Sequence, residues 1–241
     1  MRYRAGVIAS AEVSSNQVNG RPTPRERKTR TEGAKRAEIL AAATERFGRD
    51  GYEDTKWADI ASDVGVGPTA LYHYFESKQH CLFVIMDDAI ADALARFERI
   101  TAGEPDFGRA LEAVLADAFD LTPLDVQRLR ILVAEHTLIT RPRTRPRSPH
   151  EEEARRSARS RTRDLELAWA EFLRRAMEHG ALPSSDPRML ARAVLGLYNS
   201  IWHWFRSSGT VGLDVVAGFY SARMLEIIGI DAAVSADPLA A

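Results

Sequence analysis

The chain lacks most of the features that mark an enzyme or an exported protein. It has one cysteine, Cys81, in 241 residues. One copy therefore builds neither a disulfide framework nor a cysteine-based zinc site, and Cys81 is expected as a small buried residue in a reducing cytoplasm. No apolar run approaches the ~20 residues that span a bilayer, and residues 5–11 are too short and too weakly apolar for a secretory leader. No membrane partner is expected. There is no glycine-rich phosphate loop, no nucleophile elbow and no His-Glu-x-x-His helix, which argues against an enzyme and leaves no cofactor to expect. The net charge of −1 means that a nucleic-acid partner has to be met by a local basic patch and not by bulk charge. No alternating strand pattern occurs, so the expected fold is all-α.

What is present centres on residues 66–78, Val-Gly-Pro-Thr-Ala-Leu-Tyr-His-Tyr-Phe-Glu-Ser-Lys. Pro68 suits a first helical position because it has no N–H to leave unbonded. At about 100° per residue, Leu71 and Phe75 share the inward face, while Thr69, Ala70 and His73 point out between Tyr72 and Tyr74. Upstream, Ile39, Leu40, Ala43 and Phe47 repeat at helical spacing within residues 32–49, and Gly48, Asp50 and Gly51 end that helix. Thr55 is expected to cap a second helix, whose Trp57, Ile60, Ala61 and Val64 fall on one face. Gly65 closes it. Only Val66 and Gly67 then precede Pro68, the spacing of a helix-turn-helix. Ser77 is expected to cap a longer connector helix with a stripe from Leu82 to Phe97.

Residues 1–31 have no usable periodicity and carry Arg21, Arg25, Arg27, Lys28 and Arg30, which predicts a disordered basic arm, read first as a solvated tail and alternatively as tracking phosphates. Residues 32–79 form the expected helix-turn-helix domain, 80–231 a second helical domain and 232–241 a tail.

The run Ile39-Leu-Ala-Ala-Ala-Thr-Glu-Arg-Phe47, with Gly51-Tyr52-Glu-Asp-Thr55, Ile60-Ala61, Gly65-Val66 and Leu71-Tyr72-His-Tyr-Phe75-Glu-Ser-Lys78, resembles the N-terminal domain of TetR-family transcriptional regulators. The match covers about residues 35–82. It departs from many members at Gly67, where they carry a capping Ser or Thr. The resemblance implies a ligand-responsive regulator, usually a repressor, that binds a pseudo-palindromic double-stranded DNA operator as a homodimer and is released by a small molecule. It places DNA contacts on Thr55, Lys56, Pro68, Thr69, Ala70, Tyr72, Tyr74 and Lys78. His73 joins them because it lies on the same outward face.

The second domain must be read from its residues. Helices are expected at residues 107–120, from Thr122-Pro123 to about residue 139, and at 151–178 after a Pro- and Arg-rich break at 141–149. The first half of the 151–178 helix is highly charged and is expected to face solvent. Two more helices follow, from Asp186-Pro187 to Ser208-Gly209 and over residues 213–228. Their apolar coverage exceeds what lone surface helices need, and by the resemblance they pair with a second subunit. Phe119, Leu132, His136, Trp169, Phe172, Tyr198, Trp202 and Phe205 are candidates to line a site for a hydrophobic effector, with plain core as the competing reading. Acyl-CoA or a lipid-like molecule is one expectation, since the arginines of residues 141–163 can meet phosphate. His136 and His203, lone histidines among apolar residues, are expected as satisfied core groups. A helical interaction module that has lost DNA binding is the alternative function.

Overall fold

The computed structural model describes residues 24–141 and 148–230, with side chains from residue 31 onward. All regular structure among the described residues is helical: α1 (Pro24–Asp50), α2 (Trp57–Asp63), α3 (Pro68–Leu71), α4 (Lys78–Gly103), α5 (Phe107–Phe119), α6 (Pro123–Ala134), α7 (His136–Thr140), α8 (Pro149–Glu178), α9 (Pro187–Trp204) and α10 (Leu213–Ile228). The described residues fall into two units, divided between residues 35 and 36.

Helix α1 begins at Pro24, not near residue 32, so the expected disordered arm is helical from residue 24. That stretch has no apolar residue to reveal a helical stripe, but proline suits a helix start, and Arg, Glu and Lys are good helix formers. The rest of the arm, Arg21 included, and the tail after residue 230 lie outside the described residues.

In the unit 36–241, two apolar clusters organise the packing. One gathers Ile39, Ala43 and Phe47 of α1, Ile60 and Ala61 of α2, Leu71, Phe75 and the α4 residues up to Ile90, and it is completed by Ile131, Ile139 and Ala158. The other gathers Phe97 of α4 with the apolar faces of α5, α8, α9 and α10. Helix α4 therefore belongs to both. Helix α8 runs parallel to it: Ser77 meets Glu151, Asp87 meets Ser157 and Arg161, and Phe97 meets Trp169.

The α2–α3 turn follows from its glycines. Gly65 has φ +66°, a left-handed conformation that costs an L side chain. The backbone closes in a Schellman motif, Val66 N–H donating to Ala61 O at 2.9 Å and Gly65 N–H to Ser62 O at 3.1 Å. Gly67 then precedes α3 without any side-chain cap. A Cβ there would meet nothing within 4 Å.

Three expectations are corrected. Thr55 does not cap α2: the N-cap is Lys56, and the Thr55 hydroxyl turns back to donate to Gly51 O at 2.7 Å. The helix expected to run from Pro123 to about residue 139 breaks at Glu135 (φ −102°, ψ 10°) into α6 and α7, without a glycine or proline to signal it. The first half of α8 faces solvent on one side only. Glu151, Glu152, Arg155 and Ala158 are buried there. The Arg155 guanidinium donates to both oxygens of Glu152, at 2.9 and 2.7 Å, and to Ile139 O at 3.0 Å. Mutual satisfaction makes such burial tolerable.

Gly65→Ala is expected to lower stability by about 1 kcal/mol through its positive φ. Gly67→Ser should raise it by a few tenths of a kcal/mol by adding a cap. Urea unfolding of both variants checks the pair; equal effects would contradict the turn geometry.

Candidate functional site

Helix α3 and the turn that follows it form a platform with one committed face. Leu71 and Phe75 are 0% and 1% exposed, as the helical spacing predicts. Trp57 packs edge-on to Phe75, and the Arg36 guanidinium lies 5.0 Å from the Phe75 ring centroid. With that face spent, Pro68, Thr69, Tyr72 and His73 are exposed and Ala70 half-buried, while Tyr74 is half-buried against the first cluster. Tyr72 is 55% exposed, a large aromatic face offered to solvent. Lys56 is exposed one residue before α2.

Two expected members are turned elsewhere. Thr55 is buried, and its hydroxyl is used on Gly51. The Lys78 ammonium donates to Tyr52 O at 2.7 Å, Thr55 O at 2.9 Å and Glu53 O at 3.4 Å, and sits 4.2 Å from the Tyr52 ring centroid. An ammonium has three N–H donors, and all three are engaged. Lys78 is thus a staple holding the α1–α2 loop to the start of α4. The pairing of Arg46 with Asp63, at 2.5 and 2.8 Å, ties α1 to α2 in the same way.

Behind the platform lies a polar junction that sequence reading missed. Ser77 caps α4, accepting from His80 N–H, and donates its own hydroxyl to Glu151 of α8 at 2.5 Å. Glu76 pairs with His150 at 2.6 Å, and the His80 and His150 rings stack. Hydrogen bonds from Ser148 and then His150 hold the Glu76 carboxyl below its ordinary range. The hydrogen bond to Glu76 raises His150, and burial lowers His80. The partners are about 74 residues apart in the chain, so no local pattern could reveal them.

The second domain encloses a cavity of about 330 Å³ between α4, α5, α6, α8 and α9. Leu132, His136, Trp169 and Tyr198 line it. Phe119, Phe172, Trp202 and Phe205 do not: each is buried in the second cluster behind the lining. Phe119 and Trp202 both pack edge-on against Tyr198. The Tyr198 hydroxyl donates to Ala118 O at 2.7 Å, and burial pushes its pKa up. His136 and His203 are exposed at the cavity edge and not buried in the core as expected. Sequence reading also missed a charged group on three helices: Asp92 and Arg96 of α4, Asp117 of α5, and Asp125 and Arg128 of α6. Cys81 is fully buried, and burial pushes its thiol up.

Comparison with known proteins fits this division. Residues 39–85 match the family model described as bacterial regulatory proteins, tetR family, and residues 125–228 match a tetracyclin repressor-like C-terminal domain. The chain is 26% identical over 202 residues to the HTH-type transcriptional repressor KstR2 of Rhodococcus jostii (strain RHA1), covering 82% of this chain and 93% of that protein. Among solved structures, it is similar to the TetR family transcriptional regulator PfmR from Thermus thermophilus, with 27% identity, TM-score 0.60, and 78% and 97% of the two chains covered. AibR in complex with isovaleryl coenzyme A and operator DNA shares the fold, with 21% identity, TM-score 0.64 and coverage of 79% and 97%. Among the described residues no helix is long and apolar enough to cross a membrane.

Lys78→Ala is expected to cost about 1–2 kcal/mol of stability while leaving the salt dependence of DNA binding unchanged. Lys56→Ala should instead lower the slope of log affinity against log salt by about one per bound subunit. Salt titrations of both variants decide the assignment, and a lowered slope for Lys78→Ala would return it to the phosphates. Separately, the Glu76–His150 pair holds while His150 is protonated, so its contribution is complete below the ordinary histidine pKa and lost as pH rises through the raised one. Between about pH 6 and pH 9 the wild type should lose more thermal stability than His150→Gln; parallel melting curves would contradict this.

Proposed function

The chain belongs to the TetR family of transcriptional regulators, and on that premise we propose a homodimeric repressor that reads a pseudo-palindromic operator and is released by a small apolar effector. DNA binding and response to a ligand are the family's shared functions. The finer reading rests above all on the platform of Pro68, Thr69, Ala70, Tyr72 and His73, which stays solvent-facing because Leu71 and Phe75 carry the packing. The small Thr69 and Ala70 allow close approach to base edges and thymine methyls, while Tyr72 and His73 reach the groove walls. Tyr74, half-buried, contributes at most its hydroxyl.

One such platform covers too little groove for useful specificity, so two copies on half-sites about 34 Å apart, or a multiple of that, are required. Helices α9 and α10 supply a surface for the pairing. Trp204, Phe219 and Ile227 are 47%, 45% and 45% exposed, more large apolar area than a solvated helix pair ordinarily carries.

The effector reading rests on the cavity. Its volume is at the low end for ligand sites, and its buried lining is apolar. An acyl or lipid-like group fits that space. A ligand that favours one position of α4 would shift the population of DNA-competent dimers by its differential affinity for the two positions. The alternative of a module without DNA binding has no specific observation in its favour.

Phe219→Glu combined with Trp204→Glu is expected to yield a monomer by light scattering and to abolish binding to an operator recovered by selection with the wild type. A variant that stays dimeric would reject α9–α10 as the interface. A recovered site without twofold symmetry would reject the pseudo-palindrome.

A further inference from the structure

The charged group at the cavity is uneven in how its members are satisfied. Its carboxylates are occupied or in water. Asp125 Oδ2 accepts the Thr122 backbone N–H at 3.0 Å and the Thr122 hydroxyl at 2.5 Å in the capping box of α6. Asp117 lies 2.8 Å from Arg96 and 3.6 Å from Arg99. The Asp92 side chain is 58% exposed.

The guanidiniums are not so well served. Arg128 makes one long hydrogen bond, 3.5 Å to Asp125, and stands 3.8 Å from Asp92. Charged hydrogen bonds are normally about 2.7–2.9 Å, and an arginine has five donors to place. The Nε of Arg96 is buried within ion-pair distance of Asp117, but its N–H is not aimed for a hydrogen bond and has no other partner. Two arginines on facing helices therefore bring under-used donors to one cavity.

Of the remaining polar lining, His136, Asn199 and His203 stand at the cavity, while two hydroxyls are already spent. The Tyr198 hydroxyl is spent on Ala118 O and the Thr162 hydroxyl on Ala158 O. Phe97, Leu115, Trp169, Val194 and Met224 make the buried wall apolar. Arg96 and Arg128 keep 40% and 31% of their side-chain surface in contact with solvent, so a charged head beside them stays partly hydrated and a tail can enter the dry wall behind.

We infer that the effector is a small apolar carboxylic acid whose carboxylate is held by Arg128 and Arg96 and whose hydrocarbon fills the cavity. At about 30 Å³ per water-sized group, the space accepts roughly ten to twelve non-hydrogen atoms. The inference rests on the effector reading of the cavity and names its ligand class. A coenzyme A thioester of the same acid has lost the carboxylate, so the free acid is the ligand.

The test uses the full-length dimer and octanoate, octanamide and octanoyl-CoA, followed by calorimetry and by release from operator DNA. Octanoate is expected to bind and to release the DNA, with octanamide, alike in shape but neutral, about tenfold weaker or worse. Arg128→Gln and Arg96→Gln should each erase most of that preference, with Arg128→Lys intermediate because it keeps the charge without the fork. Octanamide binding as well as octanoate would overturn the carboxylate and leave the cavity reading standing. Tighter binding of octanoyl-CoA would overturn the free acid in favour of the thioester. Octanoate binding that survives Ala93→Phe, in a variant that still melts cooperatively and binds operator, would overturn the cavity reading itself.

Discussion

The arrangement depends on α4 being one continuous helix shared by two cores. Its first turns carry Cys81, Leu82, Ile85 and Met86 into the cluster that fixes α1, α2 and the α3 platform. Further along, Ala89, Asp92, Ala93, Arg96 and Phe97 face the cavity. A helix transmits displacement along its axis because each turn is hydrogen-bonded to the next. Whatever moves the cavity end of α4 must therefore move the platform, or break packing that includes several fully buried side chains, each contributing about 1.5–3 kcal/mol.

Helix α8 adds a constraint on that motion. Its parallel path beside α4 brings its first turn to the end of the platform, where Ser148, His150 and Glu151 meet Glu76 and Ser77. One residue on begins the buried Glu152–Arg155 pair, whose guanidinium donates to Ile139 O of α7 and to Arg141 O just past its end. The Arg155 hydrogen bonds lower Glu152 to about 2. A folded-state pKa this far below the ordinary value gives stability present above the unfolded pKa and lost only as pH falls towards 2. Because desolvation offsets much of the Coulomb gain, the pair does more to fix the register of α8 against α7 than to add net stability.

Local physics makes much of the fold legible. The caps at Ser77 and Thr122, the prolines opening α3, α6 and α9, and the stripe residues Ile60, Leu71, Val194 and Ile201 all lie where 3.6-residue spacing and terminal chemistry put them. Two of the misreadings share one cause, partners distant in sequence. The charged residues of α8 read as solvent-facing because nothing near them in the chain shows that Ser77 and Ile139 meet them. Lys78 reads as free because nothing local shows the Tyr52 and Thr55 carbonyls above it. In the cavity, size favours the aromatic residues as lining, yet large rigid rings fill the core behind Tyr198. The charged members escape notice because a single Asp or Arg on a helix usually faces water.

The carbonyl contacts of Lys78 bear on what the proposed DNA interface can rely on. With its ammonium held by three carbonyls, Lys78 leaves Lys56, and Arg36 beside Phe75, among the exposed cations of the described residues in the unit 36–241, within a chain of net charge −1. Counterion release is then modest per subunit, so affinity depends on two platforms acting together and on shape fit. The outward residues reinforce this. Thr69 and Ala70 offer methyl contacts and one hydroxyl where an Arg or Asn would offer a bidentate base pairing. A platform this poor in strong contacts is sensitive to the spacing of its two copies, since neither half-site binds well alone. That sensitivity suits control from a cavity on the far half of α4, where a small ligand has only to bias the position of one helix.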